Sequence, residues 1–267
     1  MRLGMNQSSL DPADLERAFQ IASEAGADGI EITCEAAKTL MALLGRNGPA
    51  RVNRLKKQYR LEVPSIGLCA LKQGESLFGP PKVASQAAQV ISKAITTAGQ
   101  IEANVVLVPF FGKATIELEE ELERVVEALR DLAEQAEAAG RTLGIESTLN
   151  VNQQLHMLES LGDYSSVKVY YDTGDTLARK LDPATSLREL GKEGICQMHF
   201  KDVRLGEEGN PPDWNVPLGK GHVDFPAVAS ALKAMGYDGW VVLETPATDD
   251  PAAAAKANLK SARELLD

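Results

Sequence analysis

Eight short apolar segments recur along this chain, and longer segments with helical patterns separate them. The short segments are rich in Val, Ile and Leu, a composition typical of parallel strands that are buried on both faces. They lie at residues 3–6, 29–33, 63–68, 104–109, 143–147, 167–172, 196–200 and 240–244. This alternation predicts eight β-strands with helices between them.

The segments between the strands place apolar residues at helical spacing. The first predicted helix has Asp11 as its N-cap and Pro12 at the first helical position, and it runs to Gly26. Further helices are predicted over residues 83–98, 116–139, 225–236 and 251–266. The glutamates between residues 119 and 127 lie opposite the apolar stripe of their helix, which indicates a solvated outer face.

Eight strand–helix units in 267 residues average about 33 residues each, which predicts an α/β fold, the (β/α)8 TIM barrel of about 250 residues. An open doubly wound sheet is the alternative, and it usually carries a glycine-rich phosphate turn after its first strand. The segment at residues 5–9, MNQSS, contains no glycine, so we favour the barrel. No linker or low-complexity segment interrupts the chain, and we predict a single domain over residues 1–267.

Charge and cysteine content restrict the partners and the location that we expect. The chain has 28 basic and 38 acidic residues, a net charge of −10, which argues against nucleic acid and against an anionic membrane as the main partner. No apolar run is long enough to span a bilayer, and the first residues lack the apolar core of a signal peptide. Three cysteines form no close pair, as is typical of a reducing compartment, so we expect a cytoplasmic protein.

Polar residues stand at the carboxyl ends of the last four predicted strands, the ends that form the active-site face of a TIM barrel. One residue on each strand can bind a metal: Glu146, Asp172, His199 and Glu244. Neighbouring strands lie about 4.8 Å apart, so four such residues converge on a small volume. Three carboxylates in that volume would repel each other without a cation. We predict a site for one divalent ion, Mn²⁺, Mg²⁺, Co²⁺ or Zn²⁺.

Each of these residues also has an ordinary structural interpretation. A carboxylate at a strand end can cap a loop, and a histidine within an apolar strand can be a hydrogen-bonded core residue. His199 is the one histidine of three that lies inside a predicted strand. The coincidence of four suitable residues at matching strand ends favours the joint metal site over four separate structural roles.

Short motifs around these strand ends resemble those of a known family. They are GADGIE at 26–31, GIE at 144–146, YDTG at 171–174, MHFKD at 198–202, PLGKGHVDF at 217–225, GYDGW at 236–240 and LE at 243–244. Through them, nearly the whole chain resembles the xylose-isomerase-like TIM-barrel superfamily, specifically its sugar (phosphate) isomerase/epimerase group.

The resemblance implies that Glu146, Asp172, His199 and Glu244 bind one divalent metal, and that the two glutamates form an acid/base pair. A metal that chelates the C2 carbonyl and C3 hydroxyl oxygens of a ketose acidifies the C3–H bond and stabilises an enediolate. One glutamate then removes the proton and the other returns it from the opposite face, in an order that the sequence leaves open. The implied partner is a small-molecule sugar or sugar phosphate, and a homo-oligomer is a further possibility.

Two positions depart from the family pattern. Many relatives carry His or Asn three residues after the strand-six aspartate, where it touches substrate, whereas this chain has Asp175. Some ketose 3-epimerases carry a second glutamate six positions after the strand-five glutamate, where this chain has Asn152. Both differences leave the metal site intact and the identity of the substrate open.

Further candidates for substrate contact lie near the predicted site. Lys201 is a candidate for binding a hydroxyl, carbonyl or phosphate group of the substrate. Glu31, which ends strand two, and Cys69, which follows strand three, could face the pocket. Trp214 lies in a long loop that could cover the site. The segment 219–221, GKG, is interpreted as a turn, with a phosphate cradle as the alternative.

These observations predict a metal-dependent isomerase or epimerase acting on a ketose or ketose phosphate. The alternative is a dehydratase of keto-sugars or inosose, because proton removal beside a carbonyl can also lead to loss of a β-hydroxyl group. A non-catalytic sugar-binding protein is a third hypothesis. Cleavage of abasic DNA is rejected, since the multi-zinc sites of such enzymes need more than the three histidines present, and the negative net charge would repel DNA.

Overall fold

The computed structural model of this chain describes residues 1–74, 76–207 and 210–266. Eight strands lie in these ranges: β1 (Arg2–Asn6), β2 (Gly29–Thr33), β3 (Ser65–Gly67), β4 (Val105–Phe110), β5 (Thr142–Ser147), β6 (Val167–Asp172), β7 (Ile195–Phe200) and β8 (Trp240–Leu243). Each strand pairs in parallel with its sequence neighbours, and β8 pairs with β1, which closes the sheet. The predicted (β/α)8 TIM barrel, a single domain, is confirmed.

Helices in the same described ranges surround the barrel. They are α1 (Leu15–Ala25), α2 (Ala37–Leu44), α3 (Gly48–Tyr59), α4 (Pro81–Ile101), α5 (Glu119–Ala138), α6 (Val151–Ser160), α7 (Thr173–Ala178), α8 (Pro183–Gly194), α9 (Phe225–Met235) and α10 (Pro251–Leu266). No helix in the described part of the chain is both long enough and apolar enough to cross a membrane.

Helix α1 begins three residues later than the sequence predicts. Asp14, rather than Asp11, is its N-cap, and the Asp14 carboxylate accepts hydrogen bonds from the backbone N–H groups of Glu16 and Arg17. Asp11 instead accepts from the backbone N–H groups of residues 13 and 14, which makes a turn before the helix. The predicted end is correct, because Gly26 closes the helix with a φ of 85°, a left-handed conformation that favours glycine.

Strand β3 is shorter than the predicted segment 63–68. Pro64 has no N–H group to donate to the neighbouring strand, so the ladder with β2 begins after it. The carbonyl oxygen of Pro64 still accepts hydrogen bonds from Asn104 and Val105 at the start of β4. On the β2 side, Glu62 pairs with the chain before Pro64: its N–H donates to the carbonyl oxygen of Asp28, and its carbonyl oxygen accepts from Ile30.

The barrel interior changes from apolar to polar toward the carboxyl ends of the strands. Every residue of β2 and β4 is buried, and the interior includes Glu31 and Gln197 beside aliphatic residues. Gly144 leaves room for a large ring in this interior: a Cβ atom there would lie 3.0 Å from Cδ2 of Tyr170 and 2.9 Å from Val105. The glycine of the GIE motif thus allows the Tyr170 side chain to occupy the barrel below the predicted site.

Candidate metal centre

The structure brings the four predicted metal-binding residues together. Glu146 lies in β5, Asp172 at the end of β6, His199 in β7, and Glu244 directly after β8. Each side chain offers one ligand atom, and these atoms all lie within 4.8 Å of one another. The pairing of neighbouring strands produces the cluster, since Asp172 and His199 are direct partners in the β6–β7 ladder. Glu146, Asp172 and His199 are buried, whereas Glu244 is half-buried and faces the opening.

The imidazole of His199 lies at the centre of this cluster. Its Nδ1 atom is 3.0 Å from Oε1 of Glu146, 3.4 Å from Oε2 of Glu244 and 3.7 Å from Oδ2 of Asp172. One ring nitrogen can hydrogen-bond to only one of these oxygens at a time. A cation coordinated by the three carboxylates and by this nitrogen would satisfy all four groups together, and three oxygens with one nitrogen suit several divalent ions.

Asp172 provides an independent indication that the cluster suits a cation. Its Oδ1 atom accepts a hydrogen bond of 2.7 Å from the backbone N–H of Asp175. Its Oδ2 atom is buried and has no hydrogen-bond partner among the described residues. Burial raises the pKa of Asp172 well above its usual range, and the negative charge of Asp175 raises it further. Buried polar atoms are normally satisfied, so an orphaned carboxylate oxygen in a cluster of donors fits a metal ligand.

The two glutamates of the cluster have opposite pKa shifts. Burial raises the pKa of Glu146 in spite of the neighbouring His199. Burial also opposes the ionisation of Glu244, but the Lys201 ammonium group and His199 outweigh it and lower the pKa of Glu244 to about 2. In the metal-free protein, Glu146 therefore retains a proton more readily than Glu244 does.

Lys201 lies at the opening of the cluster. Its Nζ atom is 3.0 Å from Oε2 of Glu244 and 3.8 Å from Oδ2 of Asp172. The same ammonium group lies 5.1 Å from the ring centroid of Trp214, whose side chain is partly exposed. The loop that carries Trp214 thus reaches the site through this contact, as the sequence hypothesis required.

A cleft opens beside Glu146 and Asp172. Asp175, the residue that departs from the family pattern, lies in its wall. The other polar residues of the wall are Ser147, Gln154, Tyr170, Tyr171, Thr176, Arg179 and Ser186. The cleft lies between Glu146 and Asp172 of the cluster and the segments that follow β5 and β6.

The segment GKG forms a turn that Asp202 holds in place. The buried carboxylate of Asp202 accepts hydrogen bonds from the backbone N–H groups of Gly221 at 2.7 Å, Val203 at 2.8 Å and Val223 at 3.2 Å. A Cβ atom on Gly221 would overlap this carboxylate, so glycine is needed for the close approach. An acidic side chain already occupies these N–H groups, which supports the turn interpretation over a phosphate cradle.

Comparison with known proteins gives the family. A family model described as a xylose isomerase-like TIM barrel matches residues 19–265. This chain belongs to the xylose isomerase-like TIM barrel family. The superfamily resemblance carried by the sequence motifs is therefore confirmed.

Relatives of this xylose isomerase-like barrel include a dehydratase and an epimerase, both at low identity. The inosose dehydratase of Lacticaseibacillus casei is 28% identical over 161 residues, which cover 52% of this chain and 50% of that protein. The chain therefore spans about half the length of that relative. The 2-epi-5-epi-valiolone 7-phosphate 2-epimerase of an Actinoplanes species is 26% identical over 268 residues, covering 98% of this chain and 93% of that protein.

A solved structure extends the comparison to the fold. The crystal structure of the IOLI protein with a zinc atom bound superposes with a TM-score of 0.81 at 18% identity. The superposition covers 100% of this chain and 98% of that chain. Likeness at this identity shows the fold of the xylose isomerase-like barrel and leaves the substrate open.

Glu31 lies deeper in the barrel than the sequence suggests, and its predicted contact with substrate stays a prediction. It stands in the middle of β2 rather than at its end, and it is 0% exposed. Its carboxylate accepts hydrogen bonds from Asn6 Nδ2 at 2.8 Å, Ser65 Oγ at 2.7 Å and the Tyr170 hydroxyl at 2.7 Å. Its Oε1 atom is 2.8 Å from Nε2 of His199. Glu31 thus lies below the metal cluster and contacts the ring nitrogen of His199 that faces away from it.

Sequence reasoning missed the residues that complete this buried network. Gln197 Nε2 donates hydrogen bonds to Ser65 Oγ at 2.6 Å and to the Tyr170 hydroxyl at 2.7 Å. The sequence did contain a signal for these residues. Tyr170 lies two residues before Asp172, and Gln197 lies two residues before His199. Side chains two apart on a strand share one face, so both point into the same barrel interior.

We expect Glu31→Gln to lower the affinity of the protein for Mn²⁺ by roughly 10- to 100-fold, the usual cost of removing a carboxylate that orients a metal-binding histidine. The amide keeps the size of the side chain but not its charge or its capacity to accept from three donors. Isothermal titration with Mn²⁺ measures the change. Glu62→Gln, at a largely exposed position, is the matched control. Equal affinities for a folded Glu31→Gln protein and the wild type would contradict this role.

Cys69 is largely buried, and its predicted contact with substrate stays a prediction. It follows β3 as the first residue of a short 3-10 helix, and it is 7% exposed. Among the described residues, those lining the cleft beside Glu146 do not include it. Burial raises the pKa of its thiol well above the usual range.

We expect the native protein to contain no rapidly reacting thiol at pH 8. Burial raises the pKa values of Cys34 and Cys196 to about 12, so roughly one thiol in 10,000 is ionised at that pH. The thiolate is the reactive form, and a raised pKa keeps it scarce. Titration with a disulfide reagent should detect three thiols after unfolding in guanidinium chloride and none quickly before it. A fast thiol in the folded protein would contradict the burial of these side chains.

Proposed function

We propose that this protein is a divalent-metal-dependent isomerase or epimerase that acts on a ketose or a ketose phosphate. One observation carries the proposal: three carboxylates and an imidazole converge within 4.8 Å at the active-site end of the barrel. The orphaned Oδ2 atom of Asp172 supports a bound cation at this point. The names of the relatives, a dehydratase and an epimerase, support chemistry beside a sugar carbonyl.

Glu146, Asp172, His199 and Glu244 would hold the metal ion. A divalent ion bound there would supply a Lewis acid that polarises a substrate carbonyl and makes removal of the neighbouring C–H proton easier. The donor set suits Mn²⁺, Mg²⁺, Co²⁺ or Zn²⁺. Glu31 would act as a positioning residue, because its contact with Nε2 of His199 leaves Nδ1 facing the other ligands.

Glu146 and Glu244 would move the proton. Both carboxyl groups lie beside the same ring nitrogen of His199, at 3.0 and 3.4 Å, so both are at the point where a substrate carbonyl would bind. Because they come from β5 and from the end of β8, they can approach a substrate from different sides. Reprotonation of the planar intermediate from the side opposite to proton removal inverts the carbon, which is epimerisation.

Lys201 and Asp175 would bind the substrate. The Lys201 ammonium group, at the opening beside Glu244, can donate hydrogen bonds to a hydroxyl or carbonyl oxygen. Asp175 lies in the wall of the cleft and can accept from a substrate hydroxyl. A cytoplasmic location is part of this proposal, and three free cysteines support it.

A dehydratase is the second candidate function, and the relation to an inosose dehydratase favours it. Both reactions begin with removal of a proton beside a carbonyl. In the dehydratase, the resulting electron pair expels a β-hydroxyl group as water and leaves an enone. The product therefore distinguishes the two functions, whereas the residues that hold the metal and remove the proton are shared.

Solvent exchange tests both functions in one experiment. The Mn²⁺-loaded protein is incubated in D₂O with a panel of ketoses, ketose phosphates and inosose, and NMR follows deuterium incorporation beside the carbonyl. Ultraviolet absorbance follows the enone. Exchange without enone supports the epimerase, and enone formation supports the dehydratase. A protein that binds the metal but catalyses neither reaction with any compound would contradict an enzymatic function and favour sugar binding alone.

A further inference from the structure

Arg179 lines the cleft beside the metal cluster. Among the described residues it makes no side-chain hydrogen bond and no ion pair. It is only partly exposed, and burial lowers the pKa of the guanidinium group. A partly exposed guanidinium group whose N–H donors have no acceptor among the described residues has those donors available to a ligand.

Other partly buried arginines of this chain are satisfied internally. Arg130 donates a hydrogen bond of 2.8 Å to the carbonyl oxygen of Ser160, and Arg141 donates one of 3.1 Å to that of Ala103. Both tie one part of the fold to another. Arg179 has no such structural task, although it lies in the wall that contains two of the four metal-binding side chains.

The position of Arg179 is linked directly to the metal cluster. It ends the segment that begins at Asp172 and continues through α7, and Lys180 then turns the chain with a φ of 63°. The hydroxyl of Thr176 donates to the carbonyl oxygen of Asp172 at 2.7 Å, which fixes this segment against the strand end. Asp175 is the one charged neighbour that affects the pKa of Arg179, and no ion pair joins their side chains.

We propose that Arg179 binds an anionic group of the substrate, a carboxylate or a phosphate. A guanidinium group pairs with either oxyanion through two parallel hydrogen bonds. Ser147 in the same wall offers a hydroxyl group to one of the remaining oxygens, since its own hydrogen bond to Leu149 is one that it accepts. This inference rests on the proposed function and narrows it, since the substrate is then an acidic sugar and not a neutral one.

Calorimetric titration of the Mn²⁺-loaded protein tests the inference. The probes are fructose, fructose 1-phosphate, fructose 6-phosphate and 2-keto-gluconate, which separate a neutral ketose, two phosphate positions and a carboxylate. We expect at least one charged sugar to bind about 10- to 100-fold more tightly than fructose, the range for a hydrogen-bonded charge pair. Arg179→Gln should remove this preference without changing the affinity for fructose, and Arg179→Lys should retain part of it.

Arg188→Gln is the matched control, because it removes the same charge from an exposed position on α8 outside the cleft. The inference is overturned if charged sugars bind no more tightly than fructose, if none of them binds measurably, or if Arg179→Gln keeps the preference. Titration with Mn²⁺ alone distinguishes failure of the role of Arg179 from failure of the proposed metal-dependent function. One bound ion per chain with no charge preference refutes the role of Arg179 only, whereas no bound ion refutes the proposed function as well.

Discussion

His199→Ala should purify without the divalent ion that the wild type carries, and its affinity for added Mn²⁺ should fall by more than about 100-fold. Loss of an orienting carboxylate costs up to that factor, and loss of the ligand itself should cost more. The reason is geometric: Nδ1 of His199 is the one nitrogen donor in the cluster, 3.0–3.7 Å from three carboxylate oxygens. Elemental analysis after purification without chelators measures the content, and titration measures the affinity.

Two further variants make the His199 result specific. His156→Ala removes an exposed histidine on α6 and should leave the metal content unchanged. His199→Asn keeps a polar side chain beside Glu31 and guards against loss of folding, because removing one partner of a buried charged contact is strongly destabilising. A folded His199→Asn protein with wild-type metal content would refute the four-residue site.

Glu146→Gln and Glu244→Gln should each slow deuterium exchange into a substrate by about 10²- to 10⁴-fold, the usual contribution of a positioned acid or base. The amide has nearly the size of the carboxyl group but cannot accept or release the proton. NMR of the exchanging carbon measures the rate at saturating Mn²⁺, so that weaker metal binding does not imitate the loss. Glu159→Gln on the exposed face of α6 is the control.

The two glutamate variants also separate the direction of proton transfer. A variant that lacks the base loses exchange from one epimer, while a variant that lacks the acid loses it from the other. Each single variant should therefore impair the two epimers unequally. Wild-type exchange in both single variants, with metal bound, would show that another group moves the proton.

Strand ends were the part of the site that the sequence could predict. Alternating segments define eight strands, parallel barrels place every carboxyl end on one face, and neighbouring ends then meet. No knowledge of side-chain conformation was needed to predict that the four metal-binding residues lie together. They are Glu146, Asp172, His199 and Glu244. The pattern could not show that Asp172 keeps one oxygen unpaired, because this depends on the turn into α7.

The buried hydrogen bonds below the metal cluster could not be predicted from the strand ends alone. Contacts between Glu31, Tyr170 and Gln197 cross the barrel interior, and barrel closure together with strand tilt decides which of these side chains meet.

Asp14 rather than Asp11 caps α1 because both aspartates can accept from the nearby backbone, and the local turn decides between them. Arg179 had no sequence signal, since an arginine after a short helix is usually exposed.

The packing of Trp214 on Lys201 gives this protein an optical reporter of its own site. The chain has two tryptophans, and the other, Trp240, is nearly buried in β8 at the opposite end from the metal cluster's opening, stacked under Arg2. The Lys201 ammonium group lies 5.1 Å from the centroid of the Trp214 ring, and we expect indole emission to change when that cation moves. Any ligand that draws Lys201 toward itself alters that contact, so binding to the open end of the barrel can be followed by fluorescence without a label.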